Sequence, residues 1–212
     1  MPAVRRCRRC ALRLAADLSG GHRALPLDCL SCQNTLSPFD EVHAAVPYAF
    51  PWSGLISQYK FSEHSGWAAL LAGLMLRSPA AVSSLRGMTA NDLVVPMPLT
   101  GQRLGQRGFN QSWTLAQALV RHSGTPAQAS ATLLLRIKHT LPQSELPLAQ
   151  RLRNVQGAFA VDPLQVSRAE GRHIALVDDV MTSGASVLAA AQALREAGAR
   201  RVTVFVVART EA

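Results

Sequence analysis

Two apolar runs, Ile174–Val177 and Val202–Ala208, bracket a stretch that opens with two acids and small hydroxyl residues, then continues as a helix-forming segment from about Ser186 to Ala197 that Gly198 stops. Strands that are apolar without alternation belong in a parallel sheet covered on both faces. A strand, a helix and a strand at this spacing make a βαβ unit, so the fold class is α/β. In open α/β sheets ligands bind beyond the carboxyl ends of the strands. The sequence puts DDVMTSGAS, Asp178 to Ser186, at that place.

The residue types there suggest a ligand. Asp178 and Asp179 follow the expected strand directly, where their carboxylates can accept hydrogen bonds from two vicinal hydroxyls or help hold a hydrated Mg2+. Thr182, Ser183, Gly184, Ala185 and Ser186 supply hydroxyls, backbone N–H groups and a tolerant glycine where a helix begins, which is a cradle for phosphate. A diol on one side and a phosphate on the other describe a ribose 5-phosphate. Neither a Walker loop nor the dinucleotide pattern GxGxxG occurs in the chain. The alternative is a helix cap beside a solvated or Ca2+-like acidic pair.

The four cysteines all lie within the first 32 residues, as Cys7-x2-Cys10, 18 intervening residues, then Cys29-x2-Cys32. That is zinc-ribbon spacing. Two such turns complete a tetrahedral shell of thiolates with no position left for water, so the expected Zn2+ is structural. A segment this short buries too little surface to fold without metal. A redox dithiol or a set of unrelated thiols is the other reading. Residues 1–40 are therefore expected to form a zinc ribbon and 41–212 the main domain, with the boundary between residues 33 and 45.

Between these landmarks the pattern gives an entry strand near Val46–Phe50, helices over Ser53–Phe61 (opened by a Ser cap) and Gly66–Leu76, a short buried strand in DLVVPMP, and a helix over Asn110–His122. No run approaches 18 apolar residues, and Arg13 and Asp17 interrupt the first apolar stretch, so membrane insertion and a signal peptide are not expected and the protein is expected to be cytoplasmic. The net charge of +9 is concentrated: residues 100–155 hold seven Lys/Arg and one acid. A basic segment facing a doubly acidic loop suits an anionic ligand carrying Mg2+, and suits nucleic acid as well. Lys60 and Phe61 read equally as site residues or as a packed helix end with its lysine at the rim, whereas Arg103 and Arg107 read as site residues ahead of the alternative of exposed loop charges.

VDDVMTSGAS resembles the ribose-phosphate signature of type I phosphoribosyltransferases, which bind phosphoribosyl pyrophosphate (PRPP) with Mg2+. With the four-cysteine ribbon, QYKF at 58–61, VVPMPL at 94–99, RGFNQ at 107–111 and the strings RIKHTLPQ (136–143) and RLRNVQGAF (151–159), nearly the whole chain resembles the ComF/GntX family. It is also similar to the phosphoribosyl half of glutamine amidophosphoribosyltransferase. One departure is Ser186, which stands where the family usually has Thr. The glutaminase half of that enzyme is not expected, since Pro2 rather than cysteine follows Met1.

The resemblance implies a type I phosphoribosyltransferase fold, a central parallel sheet flanked by helices, preceded by a small zinc ribbon. It implies that Asp178 and Asp179 meet the ribose hydroxyls and that Thr182, Ser183, Gly184, Ala185 and Ser186 hold the 5-phosphate, with Val180 and Met181 in the same loop. Pro96, Met97, Pro98, Leu99 and Thr100 would bind pyrophosphate. Arg136, Lys138, Thr140, Gln143 and Arg151 match a mobile segment that folds over PRPP, and Lys138 and Arg151 would neutralise the leaving pyrophosphate. Two functions follow. One is a protein binding PRPP or another phosphoribosyl ligand in the service of natural transformation, with single-stranded DNA and the competence machinery as partners. The other is an active PRPP-dependent transferase with an unidentified acceptor.

Overall fold

A computed structural model of the chain describes residues 5–14, 27–60, 66–138 and 154–211. In chain order the elements are α1 (Leu30–Gln33), β1 (Glu41–Pro47), α2 (Trp52–Tyr59), α3 (Gly66–Met75), α4 (Pro79–Arg86), β2 (Leu93–Pro96), α5 (Gly101–Arg107), α6 (Gln111–Ser123), β3 (Gln128–Ala129), β4 (Leu134–Arg136), β5 (Phe159–Val161), α7 (Val166–Ala169), β6 (His173–Met181), α8 (Ala185–Glu196) and β7 (Arg201–Arg209). Five strands form one sheet in the order β1-β7-β6-β2-β3, every pairing parallel. β4 and β5 make a separate antiparallel pair.

The lack of alternation in β6 and β7 has a simple cause. Ile174 and Leu176 with Val202, Val204 and Val206 enter one core with α8 and β5, whereas Ala175 and Val177 with Phe205 and Val207 enter a second core with α2, α3, α4 and α6. Both faces of each strand are buried, so both side-chain sets are apolar. Ile174, Leu176 and Phe205 are fully inaccessible, and each such side chain contributes about 1.5–3 kcal/mol through burial.

Sequence patterning locates most elements and misplaces some ends. β6 runs on to Met181, so Asp178 and Asp179 lie within the strand rather than after it. The first strand is Glu41–Pro47, earlier than the expected Val46–Phe50, because pairing with β7 begins at Glu41↔Thr203. α2 is present, but its cap residue is Pro51 with no side-chain cap bond, so the expected Ser cap is not used. α4 went unpredicted although Ser78-Pro79 marks its start: Ser78 Oγ accepts from Ala81 N and Pro79 fills the first turn.

The ribbon packs along the exposed edge of β1. Val42 N donates to Arg8 O at 2.7 Å, Arg6 Nη1 meets Glu211 Oε1 at 2.8 Å, and Arg209 Nε donates to Cys10 O at 2.9 Å. Covering an edge strand in this way hides backbone groups that would otherwise template pairing with another chain. Among the described residues no single helix is long and apolar enough to cross a membrane. The pair α3 and α4 passes such a test only together, bent by 101°, and its Leu71, Ala72, Met75, Ala81 and Leu85 are buried in the second core.

Candidate functional site

The carboxyl ends of β2 and β6 meet the amino ends of α5, α6 and α8, and the sequence controls each junction. After β2, Met97 N donates to Val177 O at 2.8 Å, which ties Pro96 and Met97 to β6. Thr100 then caps α5 by accepting from Arg103 N, and Gly108 ends that helix in the left-handed conformation. Asn110 has two roles: its Oδ1 accepts from Ser112 N as the cap of α6, and its Nδ2 donates to Met97 O at 3.1 Å. The Pro96–Thr100 segment is thus pinned at both ends beside the acidic pair. Among the described residues the cis peptide falls at Phe50–Pro51 and not in this segment.

The acidic pair is asymmetric. Asp178 is half-buried, and its Oδ1 accepts from Ser112 Oγ at 3.0 Å and from Asp179 N at 2.9 Å. Burial, then the neighbouring Asp179 charge, pushes its carboxyl up to about 7. Asp179 turns inward: Oδ1 accepts from Val180 N at 2.8 Å, and Oδ2 lies 3.0 Å from Lys60 Nζ. Both carboxylates were expected to face the ligand, and Asp179 instead faces a lysine.

Lys60 reaches this place because Tyr59, the last residue of α2, is fully buried and donates its hydroxyl to Gln111 O at 2.6 Å. Arg107 and Arg136 stand nearby. Burial pulls both guanidinium groups below the ordinary arginine value, and the Asp178 charge opposes that pull in each. Both remain protonated near neutrality. Arg107 donates to Gln111 Oε1 at 3.0 Å, and Arg136 lies over the ring of Phe159, 5.4 Å from its centroid. Arg103 joins the same field, since its charge lowers both neighbours. Four cations around two carboxylates leave a positive site, suited to an anion.

Between β6 and α8 the chain turns through Thr182 and Ser183 to Gly184, whose φ of +81° is left-handed and whose added Cβ would sit 2.7 Å from Met181 Cε. Only glycine enters that turn without strain. Ser183 Oγ accepts from Ala185 N at 3.4 Å, Thr182 is exposed, and Ala185 is buried. α8 has no side-chain cap bond at its start. Lys138 is exposed just beyond β4, while Thr140, Gln143 and Arg151 lie outside the described residues. A cavity of about 580 Å3 lined by Arg6, His43, Ser84, His173 and Arg201 sits at the opposite, amino ends of the strands, away from these groups.

The second cluster is the cysteine set. The Sγ atoms of Cys7, Cys10, Cys29 and Cys32 lie within 4.8 Å of one another, and Cys10 and Cys29 are 3.7 Å apart. A tetrahedral Zn–S length of about 2.3 Å requires sulfurs about 3.8 Å apart, so the Cys10–Cys29 pair is already at that spacing and the whole set, within 4.8 Å, reaches it by small side-chain shifts. All four are free of disulfides.

Reading from sequence alone missed Ser112 and Asn110 as site residues and left Lys60 undecided. The available signal was RGFNQ followed by Ser112, a helix cap immediately after a basic turn.

No family model matches the chain. Curated relatives do. DNA utilization protein YhgH of Salmonella typhi is 36% identical over 194 residues, covering 91% of this chain and 82% of its own length. Competence protein F of Haemophilus influenzae is 30% identical over 183 residues, covering 85% and 78%. Competence protein ComFC of Bacillus subtilis is 34% identical over 119 residues, covering 56% and 45%. A crystal structure of TT1426 from Thermus thermophilus matches 66% of this chain and 70% of that chain at 21% identity and a TM-score of 0.34. On its identity and coverage with the first two relatives, the chain belongs to the ComF family, that of competence protein F and DNA utilization protein YhgH.

Proposed function

We propose that the protein binds PRPP or a related phosphoribosyl ligand at the carboxyl ends of β2 and β6, and that this binding serves the uptake or handling of single-stranded DNA. The observation that carries the ligand reading is the junction itself: a glycine-dependent turn at Gly184 opens α8 beside Asp178, with Lys60, Arg107 and Arg136 around them. A helix start attracts phosphate, a carboxylate accepts from ribose hydroxyls, and the cations suit pyrophosphate. In this reading Asp178 meets the ribose, Thr182 to Ser186 hold the 5-phosphate, and Pro96 to Thr100 face the pyrophosphate. Lys138, Thr140, Gln143 and Arg151 cover the bound ligand. Mg2+ travels with the pyrophosphate of such a ligand, and the residues here offer it Asp178 while Asp179 is engaged by Lys60.

The link to DNA rests on the relatives, whose names are DNA utilization protein and competence protein. A formal charge of +9 is in keeping with it. In this role the ribbon holds structural Zn2+ and presents a surface to other competence proteins. A thermal-shift series with PRPP, ribose 5-phosphate, AMP and single-stranded oligonucleotide tests both parts, since a ligand that selects the folded state raises its melting temperature. Stabilisation by PRPP supports the site, and stabilisation by none of the phosphoribosyl compounds contradicts it.

Transfer of the ribosyl group is the second reading, favoured by the titration of Asp178 near neutrality, where a carboxyl can take a proton from an acceptor nucleophile. The protein's part would be to orient the sugar, exclude water and neutralise the departing pyrophosphate with Lys138 and Arg151. Pyrophosphate release from PRPP in the presence of an acceptor is its test.

A further inference from the structure

Ser112 and Asp178 meet from different elements. Ser112 stands in the first turn of α6, is fully buried, and donates its hydroxyl to Asp178 Oδ1 at 3.0 Å. A serine at that place commonly caps its own helix. Here Asn110 already does so by accepting from Ser112 N, which leaves the Ser112 hydroxyl to reach β6. The backbone N–H of Asp179 donates to the same Asp178 oxygen at 2.9 Å. Both donors thus lie on Oδ1, and among the described residues Oδ2 makes no hydrogen bond and is open to solvent. The torsion that turns a carboxylate about its Cβ–Cγ bond is soft and roughly two-fold, so nothing within Asp178 decides which oxygen faces outward. Asp179 N holds Oδ1 from within the strand, and Ser112 holds it from a helix that packs on the sheet beside Ala175 and Val177. Two anchors from separate elements fix the plane of the group.

We infer that Ser112 is a positioning residue: by holding Oδ1 of Asp178 it presents Oδ2 to the sugar hydroxyls, and so sets a preference of the site for ribose over 2-deoxyribose. The inference rests on the ligand reading above and deepens it by naming the sugar. A site built to hydrogen-bond a hydroxyl rejects the analogue that lacks it, because the buried acceptor is then left unpaired. A carboxylate free to turn would find water instead, and the rejection would weaken; a supporting hydrogen bond prevents that turn. Each carboxylate oxygen carries two lone pairs, so Oδ2 can meet a hydroxyl and still face a Mg2+ that arrives with the ligand. A serine that only satisfied a buried acid would act on stability and would weaken every ligand alike when removed.

The test is calorimetric titration of the full chain, in excess Mg2+, with PRPP, ribose 5-phosphate and 2-deoxyribose 5-phosphate, for the wild type, Ser112→Ala and Ser112→Thr. The wild type is expected to prefer ribose 5-phosphate to its 2-deoxy analogue by at least about tenfold, the worth of one hydrogen bond to a charged acceptor. Ser112→Ala is expected to narrow that ratio to less than about threefold while binding the deoxy sugar within about twofold of the wild type, and Ser112→Thr, which keeps the hydroxyl, to restore it. Retained binding of the deoxy sugar also shows that the variant is folded. An unfolded Ser112→Ala hands the comparison to Ser112→Cys, whose thiol is a weak donor of similar shape. An equal fall for both sugars in the variant overturns the inference and marks Ser112 as structural, and an unchanged ratio overturns it as well. A wild type that binds PRPP and does not distinguish the two sugars overturns it while leaving the phosphate site standing, with no dependence on any variant. A wild type that binds none of the three removes the ligand reading and the inference together.

Discussion

Arg209 Nε donates to the Cys10 carbonyl oxygen at 2.9 Å, and Nη1 of the same guanidinium donates to the carbonyl oxygens of Met181, at 3.1 Å, and Thr182. One buried side chain thereby joins the metal knuckle of the ribbon to the turn that opens α8. Arg209 is 6% exposed, so its bonds are made out of water, where leaving a charged group unsatisfied costs more than any single bond gains. The ribbon is thus fastened to the candidate ligand loop as well as to the edge of the sheet.

Stripping the metal should therefore be felt at the loop. The cysteine cluster is expected to bind about one zinc per chain, and chelation should speed amide hydrogen exchange in residues 181–188 as well as in the ribbon. In Arg209→Met the loop should exchange faster with zinc still bound, at a stability cost of about 3 kcal/mol. Unchanged exchange at 181–188 after chelation would mean that the two units are only neighbours.

Asp178 makes stability depend on pH in a direction opposite to that of an ordinary paired acid. The folded protein keeps the Asp178 proton up to about 7, whereas the unfolded chain releases it near the usual 3.8. Between those values the native state binds more protons, so stability falls as pH rises through that window and levels off above it. Asp178→Asn keeps an acceptor for Ser112 and removes the charge. It should raise the melting temperature by about 2–4 °C at pH 8, the shift that 1 kcal/mol produces in a domain of this size. At pH 4 the gain should vanish; scanning calorimetry at both values checks it.

Gly184 offers a second probe that does not touch charge. Gly184→Ala puts a Cβ on a left-handed residue, costing about 1–2 kcal/mol, and forces the end of Met181 to move. A fall of roughly 2–8 °C in melting temperature follows. If the turn shapes a phosphate cradle, PRPP affinity should fall further than the stability loss alone implies, while zinc content stays constant.

What the sequence disclosed follows from the range of the forces involved. The βαβ unit was readable because β6 and β7 are buried on two sides, which leaves an unbroken apolar run whatever their partners are. The cysteine set was readable because metal ligation fixes both residue type and local spacing. β4 and β5 left no readable trace, being three residues each and stabilised by tertiary contact. The Glu41 end of β1 was missed because its polar edge looks like a connector until the ribbon covers it. The asymmetry of the acidic pair had no local signal either: Ser112 meets Asp178 across 66 residues, and Lys60 meets Asp179 across still more. Such pairings are set by how α2 and α6 lie on the sheet.

The central claim is that the turn at Gly184 and the carboxylate of Asp178 together hold a phosphorylated ribose. Isothermal titration of the zinc-loaded protein with PRPP, beside Asp178→Ala shown by circular dichroism to be folded, tests it most directly. The account predicts one site per chain with micromolar affinity in the wild type and a loss of at least about 30-fold in the variant, equivalent to about 2 kcal/mol of lost contact to the ribose hydroxyls. No heat of binding in the wild type, or equal binding by the two proteins, would contradict it.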